Sequence, residues 1–398
     1  MVTRKTGGIT VRLTVANRMK LDRIPENWNV ALDHCEEGLV LQAVKGQHKV
    51  LEIQFTNGHI EAGITYSAHP DEPVMLRGPA KRNDSLLLCN TGNRIALYIN
   101  ERLQDEDWPL GLADLSGVTC ISQGARIVIH DDFSFNDTYM ATGQQETITD
   151  LAAWRPAGMN TSIGDCMPFA HDDCYRLFYL FDRRHHQSKW RLGAHQWGQV
   201  VTDDFRTWRS CPLALTIDRQ EEGSICTGSL IFDKGAFYAF FAVRMSDRSP
   251  AKISCATSDD GVHFHKSDLA VSLSAPYEPV SARDPKVFWG DDGQYHMLVT
   301  TSNAQRGCLA HLVSADLEHW TQLDPFVIMD DRSQPECPDY FQHNGYYYLV
   351  YSLSGRARYF IAREPFGAWR APADNTIGAD GLRVPKAAVL NGRLVFAG

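Results

Sequence analysis

The sequence has no cluster of cationic side chains, no paired-cysteine motif and no long apolar run. The net charge is −9 and Lys and Arg are dispersed along the chain, so the basic face that nucleic-acid binding requires is missing. The longest apolar run has about seven residues, 237–243, which is far too short to span a membrane. We therefore expect neither nucleic acid nor a membrane as a partner.

Cysteine is present, but in no arrangement that indicates a disulfide framework or a structural zinc site. The ten cysteines show neither CxxC pairs nor regular spacing, and we interpret them as reduced thiols. Residues 1–5 are not followed by the apolar segment of a signal peptide. These features predict a cytoplasmic protein that needs no metal and no other cofactor.

The first third of the chain predicts a β-sandwich, which we place at residues 1–136. Alternating apolar and polar residues occur in the segments 11–15, 50–55, 60–66, 95–99 and 127–129. Asn57-Gly58, between two such segments, is typical of a hairpin turn. The segment 94–109 resembles the strand and turn of lectin-like sandwiches of the concanavalin/laminin-G type. Packing on the neighbouring domain is the simplest role, and carbohydrate binding or oligomerisation, such as a homodimer, are the alternatives.

A polar, turn-rich linker is predicted at residues 137–160, and a repeat begins after it. Each unit has an opening segment, a polar turn and an aromatic or apolar strand, at a period of roughly 45–62 residues. The five openings are 164–169, 227–232, 283–288, 336–341 and 384–389. Radial stacking of such units gives a propeller. We therefore predict an all-β protein in which a five-bladed β-propeller occupies residues 161–398.

The fifth unit has only two strands before Gly398. Because a closed propeller does not leave a strand edge uncovered, we expect either an N-terminal segment or further chain to complete this blade. A generic β-sandwich with coincidental Asp-Gly turns is the alternative, and four complete copies of the pattern argue against it.

The openings supply the candidate chemistry, because residues that begin the innermost strand of each blade converge on the central axis. Asp165, Asp284 and Glu336 open units one, three and four, and Thr227 and Ser229 open unit two. Carboxylates gathered on one axis repel one another, so some keep a raised pKa, which allows one site to hold an acid together with a nucleophile or base. The alternative for each is a local backbone hydrogen bond, which is common for Asp in turns.

A second set of aspartates recurs in a different part of each unit, which indicates a structural role for them and not a catalytic one. Asp203, Asp259 and Asp316 recur in the third element of successive units, before an aromatic residue. We interpret these as structural turn residues.

Residues 160–398 resemble the five-bladed glycoside hydrolases, chiefly family 32 (β-fructofuranosidases such as invertase and levanase), and also the related family 43. The matching motifs are Arg283-Asp284-Pro285, Glu336-Cys337-Pro338-Asp339, Trp197-Gly198 and Thr227-Gly228-Ser229. The family expects Asn-Asp-Pro-Asn-Gly around its nucleophile, whereas this chain has Gly164-Asp165-Cys166-Met167-Pro168. The motif around the expected nucleophile is thus the one that departs most from the family pattern. We therefore expect the sugar specificity to depend on it.

The resemblance implies a role for each acid. Asp165 would attack the anomeric carbon, and Glu336 would protonate the leaving oxygen and then activate water. Asp284 would hydrogen-bond sugar hydroxyls and stabilise the oxocarbenium-like transition state, with Arg283 holding it in place. A separation of about 5–5.5 Å between nucleophile and acid fits retention, and about 6.5–9.5 Å fits inversion.

We predict that the segment 182–190 forms one wall of the pocket, because a loop that leaves the first aromatic strand would border the axis. Arg184, His185, His186 and Trp197 are its candidate substrate-binding residues, and a solvated charged loop is the alternative. We do not expect His185 and His186 to share a metal, because adjacent residues of a strand point apart.

Glu222 and Glu278, which precede the second and third openings, are further candidate acids at the rim. The sequence thus predicts a retaining glycosidase that cleaves a terminal furanoside, β-fructofuranoside first, from a small saccharide. The alternatives are arabinofuranosidase, galactofuranosidase, or fructan-anhydride hydrolase or transglycosylase activity, and, in a different class, a non-catalytic carbohydrate-binding propeller.

Overall fold

The computed structural model describes residues 10–13, 17–21, 27–91, 93–123, 125–130, 146–156, 161–184, 186–378 and 381–398. These residues form seven antiparallel sheets. The single helical segment among them is the turn Ser188–Arg191, in which Lys189 and Trp190 have left-handed backbone angles. No helix of the described chain is long and apolar enough to cross a membrane.

Two six-stranded sheets form the N-terminal sandwich, with strands numbered along the chain. The first sheet has the order β1 (Thr10–Leu13), β12 (Arg126–His130), β3 (Asn27–Asp33), β8 (Leu86–Thr91), β9 (Arg94–Ile99) and β10 (Arg102–Asp107). The second has the order β2 (Asn17–Lys20), β11 (Thr119–Ser122), β4 (Gly38–Lys45), β5 (His48–Thr56), β6 (His59–Tyr66) and β7 (His69–Pro79). Alternate residues of strands such as β6 are buried in a shared apolar core that contains Trp28, Leu76 and Leu88, as expected for packed sheets.

The Asn57-Gly58 prediction is confirmed. The two residues connect β5 to β6, and both have positive φ, 52° and 74°. Positive φ at both central positions is the requirement of a type I′ hairpin turn, which explains the Asn-Gly pair.

Five further sheets follow in chain order. They contain β13 (Thr147–Ile148), β17 (Trp208–Leu215), β16 (Gln196–Thr202), β15 (Cys174–Arg183) and β14 (Thr161–His171) in the first sheet; β18 (Glu222–Asp233), β19 (Ala236–Met245), β20 (Lys252–Ser258) and β21 (His265–Lys266) in the second; β22 (Arg283–Trp289), β23 (Tyr295–Asn303), β24 (Arg306–Ser314), β25 (Thr321–Gln322) and β26 (Val327–Ile328) in the third; β27 (Glu336–His343), β28 (Tyr346–Leu353) and β29 (Arg356–Ala362) in the fourth; and β30 (Lys386–Leu390) and β31 (Arg393–Ala397) in the fifth.

The first strands of these five sheets form a ring. Each of β14, β18, β22 and β27 contacts the first strand of the next sheet, and β30 contacts both β27 and β14. Hydrogen bonds from Lys386 Nζ to the Pro338 carbonyl (2.8 Å) and from the Ala387 N–H to Asp339 (2.7 Å) join the fifth sheet to the fourth. The predicted all-β architecture, a sandwich followed by a five-bladed propeller, is therefore confirmed.

A repeated turn closes the first three blades, and it corrects one detail of the sequence interpretation. One carboxylate oxygen of Asp204, Asp260 and Asp316 accepts two backbone N–H bonds in each turn. The structural acceptor in the first two blades is thus the second Asp of each pair, not Asp203 or Asp259. In the third blade it is the predicted Asp316.

The limits of the two domains stay predictions, with one structural addition. Within the predicted linker, Thr147–Ile148 pairs with β17 as an edge strand of the first blade. Residues 137–145 and 157–160 of that linker lie outside the described residues.

Candidate active site

The opening strands β14, β18, β22 and β27 each break their pairing register at the position that carries a candidate site residue. The shifts fall between Ile163 and Cys166, Ile225 and Gly228, Arg283 and Lys286, and Glu336 and Asp339. Such bulges bend a strand and redirect a side chain, and they are frequent beside active sites. The irregularity therefore turns Asp165, Thr227 and Asp284 towards the axis.

Asp284 is almost fully buried. It has a left-handed φ of 55°, and its Oδ2 accepts the backbone N–H of Cys337 at 3.0 Å. Burial raises its pKa, the guanidinium of Arg283 opposes that effect, and Asp165 adds to it. This carboxyl is held by two neighbouring blades.

Asp165 comes from the first blade and is bonded by the next blade and by the fourth. The Thr227 hydroxyl donates to its Oδ2 at 2.6 Å, and the thiol of Cys337 lies 3.4 Å from the same oxygen. Cys337 thus contacts both Asp165 and Asp284. Burial, followed by these two carboxylates, raises the pKa of the Cys337 thiol well above its usual value.

Glu336 is far more exposed than Asp284, with 46% of its side chain exposed against 5%. Arg283 Nη2 donates to Glu336 Oε1 at 2.8 Å, and Arg283 Nη1 donates to Gln334 Oε1 at 2.6 Å. Burial alone would lower the pKa of Arg283, but Asp284 and Glu336 outweigh burial and raise it. A permanently charged guanidinium therefore connects the buried acid to the exposed one.

These groups line one cavity of about 410 Å³. Its other wall consists of residues from the end of β15 and the following segment, 182–195, which we call the arm. Asp182, His186 and His195 of the arm line the cavity, together with Arg244 from β19. Carboxylates, imidazoles and two guanidiniums therefore surround a space of the size that small-molecule sites occupy.

The opposite face of the arm docks on the sandwich through buried ion pairs. Glu106 of β10 accepts from Arg94 Nε at 2.7 Å and from Arg183 Nε at 2.8 Å. Arg184 pairs with Asp105 at 2.6 Å and with Asp107 at 3.1 Å. The sandwich thus fixes the chain that carries one wall of the cavity.

Six predicted site residues lie together in the cavity lining: Asp165, His186, Thr227, Arg283, Asp284 and Glu336. His185 lies outside the described residues.

The structure places the other predicted residues elsewhere. Arg184 faces Asp105 and Asp107, because the left-handed backbone at Arg184 (φ 57°) turns it towards the sandwich. Trp197 is fully buried between blades, and its Nε1 donates to the Cys226 carbonyl at 2.9 Å. The Ser229 hydroxyl oxygen accepts the Val287 N–H at 2.9 Å and borders a separate cavity of about 290 Å³.

The two rim glutamates are also occupied by local partners. Glu222 accepts from Lys266 at 2.7 Å beside a small cavity of about 90 Å³. Glu278 accepts the N–H groups of Val280 and Ser281 at 2.7 and 2.9 Å. Their carboxylates stabilise loops next to the blades, and neither residue lines the 410 Å³ cavity.

Sequence reasoning did not single out Asp182, His195, Arg244 or Cys337 as site residues, although Asp182 belongs to the segment that it predicted as a pocket wall. Cys337 is part of the Glu-Cys-Pro-Asp motif, so its position beside Glu336 was a usable signal. Asp182 and His195 stand at the two ends of the arm, and only the folded loop brings them together. Arg244 had no signal in the sequence, because it is one exposed position near the end of a buried strand.

Comparison with known proteins identifies a family for the region that contains this cavity. The sequence model of the glycosyl hydrolases family 32 N-terminal domain matches residues 166–364, which include Asp284 and Glu336 and begin directly after Asp165. Sucrose-6-phosphate hydrolase from Escherichia coli is 29% identical over 196 residues, which cover 46% of this chain and 39% of that protein. Sucrose-6-phosphate hydrolase from Zymomonas mobilis is 26% identical over 255 residues, 56% of this chain and 47% of that protein.

An invertase from Schizosaccharomyces pombe is 25% identical over 182 residues, 41% of this chain and 30% of that protein. The chain therefore spans less than half the length of these curated relatives. A solved glycoside hydrolase structure, 12% identical, covers 65% of this chain and 88% of its own with a TM-score of 0.51, which supports the fold. The family match extends over half of the chain, and the protein belongs to glycoside hydrolase family 32.

Proposed function

We propose that this protein hydrolyses a terminal β-fructofuranoside of a small saccharide by a retaining mechanism. The observation that carries the proposal is the linkage of three acids in one cavity. Cys337 contacts Asp165 and Asp284, and Arg283 contacts Asp284 and Glu336. Paired carboxyl groups across a sugar-sized space are the equipment of glycoside hydrolysis.

In the first step, Asp165 attacks the anomeric carbon while Glu336 donates its proton to the glycosidic oxygen. The bond between anomeric carbon and leaving oxygen breaks, and a fructosyl ester of Asp165 forms. The Thr227 hydroxyl, 2.6 Å from Asp165 Oδ2, orients the attacking carboxylate. The Glu336 side chain is 46% exposed, which suits a group that must reach the leaving alcohol at the cavity mouth.

In the second step, Glu336 removes a proton from water, and the resulting nucleophile attacks the same carbon. The ester bond breaks, Asp165 regains its carboxylate, and fructose leaves with its original anomeric configuration. Asp284 accepts hydrogen bonds from sugar hydroxyls during both steps. Its bond from the Cys337 N–H and its contact with Arg283 keep it in place.

The names of the relatives make sucrose and sucrose 6-phosphate the first substrates to test. Turnover should be measured on both, on nitrophenyl β-fructofuranoside, and on nitrophenyl arabinofuranoside and galactofuranoside. We expect release of fructose and, in dilute methanol, formation of methyl β-fructofuranoside, which reports retention. Saccharide binding without turnover would instead indicate a carbohydrate-binding propeller, and turnover of another furanoside alone would overturn the β-fructofuranoside assignment.

A further inference from the structure

Three side chains of the types that ligate metals converge on the arm side of the cavity. His195 Nε2 lies 2.7 Å from His186 Nδ1, and Asp182 Oδ2 lies 3.6 Å from His195 Nε2 and 3.7 Å from His186 Nδ1. One ligand atom from each residue thus falls within 4.8 Å of the others. Two imidazole nitrogens and one carboxylate oxygen are a common ligand set for a divalent transition metal.

The burial and the hydrogen bonds of Asp182 are a second, independent observation that points to a bound cation. Its side chain is only 5% exposed and it lines the cavity. Oδ2 accepts the His186 backbone N–H at 2.8 Å, whereas Oδ1 has no hydrogen-bond partner among the described residues. A buried polar atom without a partner is costly, and a cation bound by both oxygens of this carboxylate would remove that cost.

The charges around the cavity also favour a bound cation. Its lining has four carboxyl side chains, Asp165, Asp182, Asp284 and Glu336, and two guanidiniums, Arg244 and Arg283. With neutral imidazoles, the lining has an excess of two negative charges when all four carboxyls are ionised, and of one when Glu336 holds the proton that hydrolysis requires. The lining attracts a cation in both states.

The arm is also held before any ligand binds. Arg183 and Arg184, next to Asp182 in the chain, are fixed on Glu106, Asp105 and Asp107 of the sandwich. At the other end, the His195 N–H donates to Ser224 Oγ at 3.1 Å. Both ends of the ligand set are therefore anchored, as a preorganised metal site requires.

We propose that Asp182, His186 and His195 bind one divalent transition metal, zinc first, at the arm wall of the cavity. Zinc bonds of about 2.0–2.1 Å place tetrahedral ligand atoms roughly 3.3 Å apart, close to the two separations from Asp182. The two imidazole nitrogens must separate by about half an ångström. His186 has the freedom to do so, because 70% of its side chain is exposed.

Three protein ligands leave a fourth position of tetrahedral zinc open, and here it would face the cavity. A water molecule or a sugar hydroxyl is the ligand that fits this position. The sequence interpretation considered His185 with His186 and rejected that pair. The structure instead joins His186 to His195, nine residues further along the chain.

The test uses the full chain after treatment with a chelator. Zinc is titrated in competition with a chromophoric chelator, and cobalt is added separately to record its visible spectrum. We expect one metal per chain and a cobalt spectrum without a thiolate charge-transfer band, because the ligands are nitrogen and oxygen. A thiolate band would assign binding to cysteines and overturn the proposal, as would absence of stoichiometric binding.

His186→Gln and His195→Gln should each weaken zinc binding by about 100-fold. Loss of a residue that only supports a metal ligand already costs about 10- to 100-fold in affinity, and loss of the ligand itself should cost at least as much. His263→Gln and His319→Gln are matched controls, because each removes an exposed His beside an Asp, at 2.7 and 2.8 Å. These controls should keep wild-type affinity. The exposed His186 keeps the test valid if His195→Gln fails to fold, and unchanged binding in His186→Gln would overturn the site. Metal affinity is measured without turnover, so the result is independent of the proposed hydrolase activity.

Discussion

The two walls of the cavity are built in different ways. The wall from the third and fourth blades consists of residues at bulged strand starts. Its partners lie on the next blade, as in the Arg283–Glu336 bond of 2.8 Å, or on the first blade, as in the contact of Cys337 with Asp165 at 3.4 Å. The arm wall consists of a loop whose conformation depends on ion pairs with a different domain, as in Arg183 with Glu106. A motif can specify the first kind of wall, whereas the second depends on contacts between residues distant in sequence.

The largest effect should come from the blade wall. Glu336→Gln removes the transferable proton but keeps the side-chain size, so turnover should fall by about 10³-fold or more, within the range of general acid–base catalysis. Initial rates on the best fructoside measure it. Glu318→Gln, an exposed change on the third blade, is the control and should leave the rate unchanged. Near-wild-type activity on a substrate with a poor leaving group would contradict the assigned role.

On the arm wall, the largest effect should be on stability. Glu106→Gln removes the negative charge between two buried guanidiniums and should lower the free energy of unfolding by about 3–5 kcal/mol. Urea unfolding followed by tryptophan fluorescence measures it. The exposed pair Arg82–Glu36 provides the control, because Glu36→Gln should cost less than about 1 kcal/mol. Equal losses in both variants would show that the arm is not fixed by Glu106.

Thr227 tests the coupling between blades. Thr227→Val keeps the shape of the side chain but removes the hydroxyl that donates to Asp165 at 2.6 Å. We expect kcat to fall about 10- to 100-fold, since a hydrogen bond to a charged group contributes about 1.5–3 kcal/mol. Thr227→Ser retains the donor and should recover most of the rate. A rate equal to wild type in the Val variant would mean that Asp165 is positioned by other contacts.

The difference between the two walls also explains how much of this structure can be predicted from the sequence. The hydrophobic and turn pattern predicts the strands and the five blades, and it places Asp165, Asp284 and Glu336 in one cavity because each opens a repeated unit. The arm resists such reasoning, because Arg184 and His186 have left-handed φ values of 57° and 66° and alternation of side chains along a strand no longer applies. Consequently, the prediction that Arg184 binds substrate is wrong, since it lies against the sandwich, and the pattern does not single out Asp182 within the predicted wall.

Arg184→Met tests that reassignment. The change removes the pairs with Asp105 and Asp107 and should lower the free energy of unfolding by about 2 kcal/mol, less than Glu106→Gln because Arg184 is partly exposed. KM should change less than about twofold, because Arg184 does not line the cavity and the Arg183–Glu106 pair still holds the arm on the sandwich. A large rise in KM with unchanged stability would restore Arg184 as a substrate-binding residue.

The smallest expected effect is a pH dependence of the Glu106 contribution. Burial alone would raise the pKa of Glu106, but Arg183 and Arg94 outweigh burial and lower it below the ordinary value of 4.5. A carboxyl with a lowered folded-state pKa stabilises the fold fully above the unfolded-state pKa, and this contribution is lost as pH falls through the folded-state value.

The difference in unfolding free energy between wild type and Glu106→Gln should therefore be constant from pH 7 to about pH 5. Below that, it should shrink by at most about 1.4 kcal/mol per pH unit, the limit for one proton. Urea unfolding of both proteins at successive pH values measures it, and the corresponding difference for Glu36→Gln should stay small throughout. A difference that grows in acid would mean that Glu106 is protonated in the folded protein, and the sandwich would then hold the arm by neutral hydrogen bonds instead of by charge.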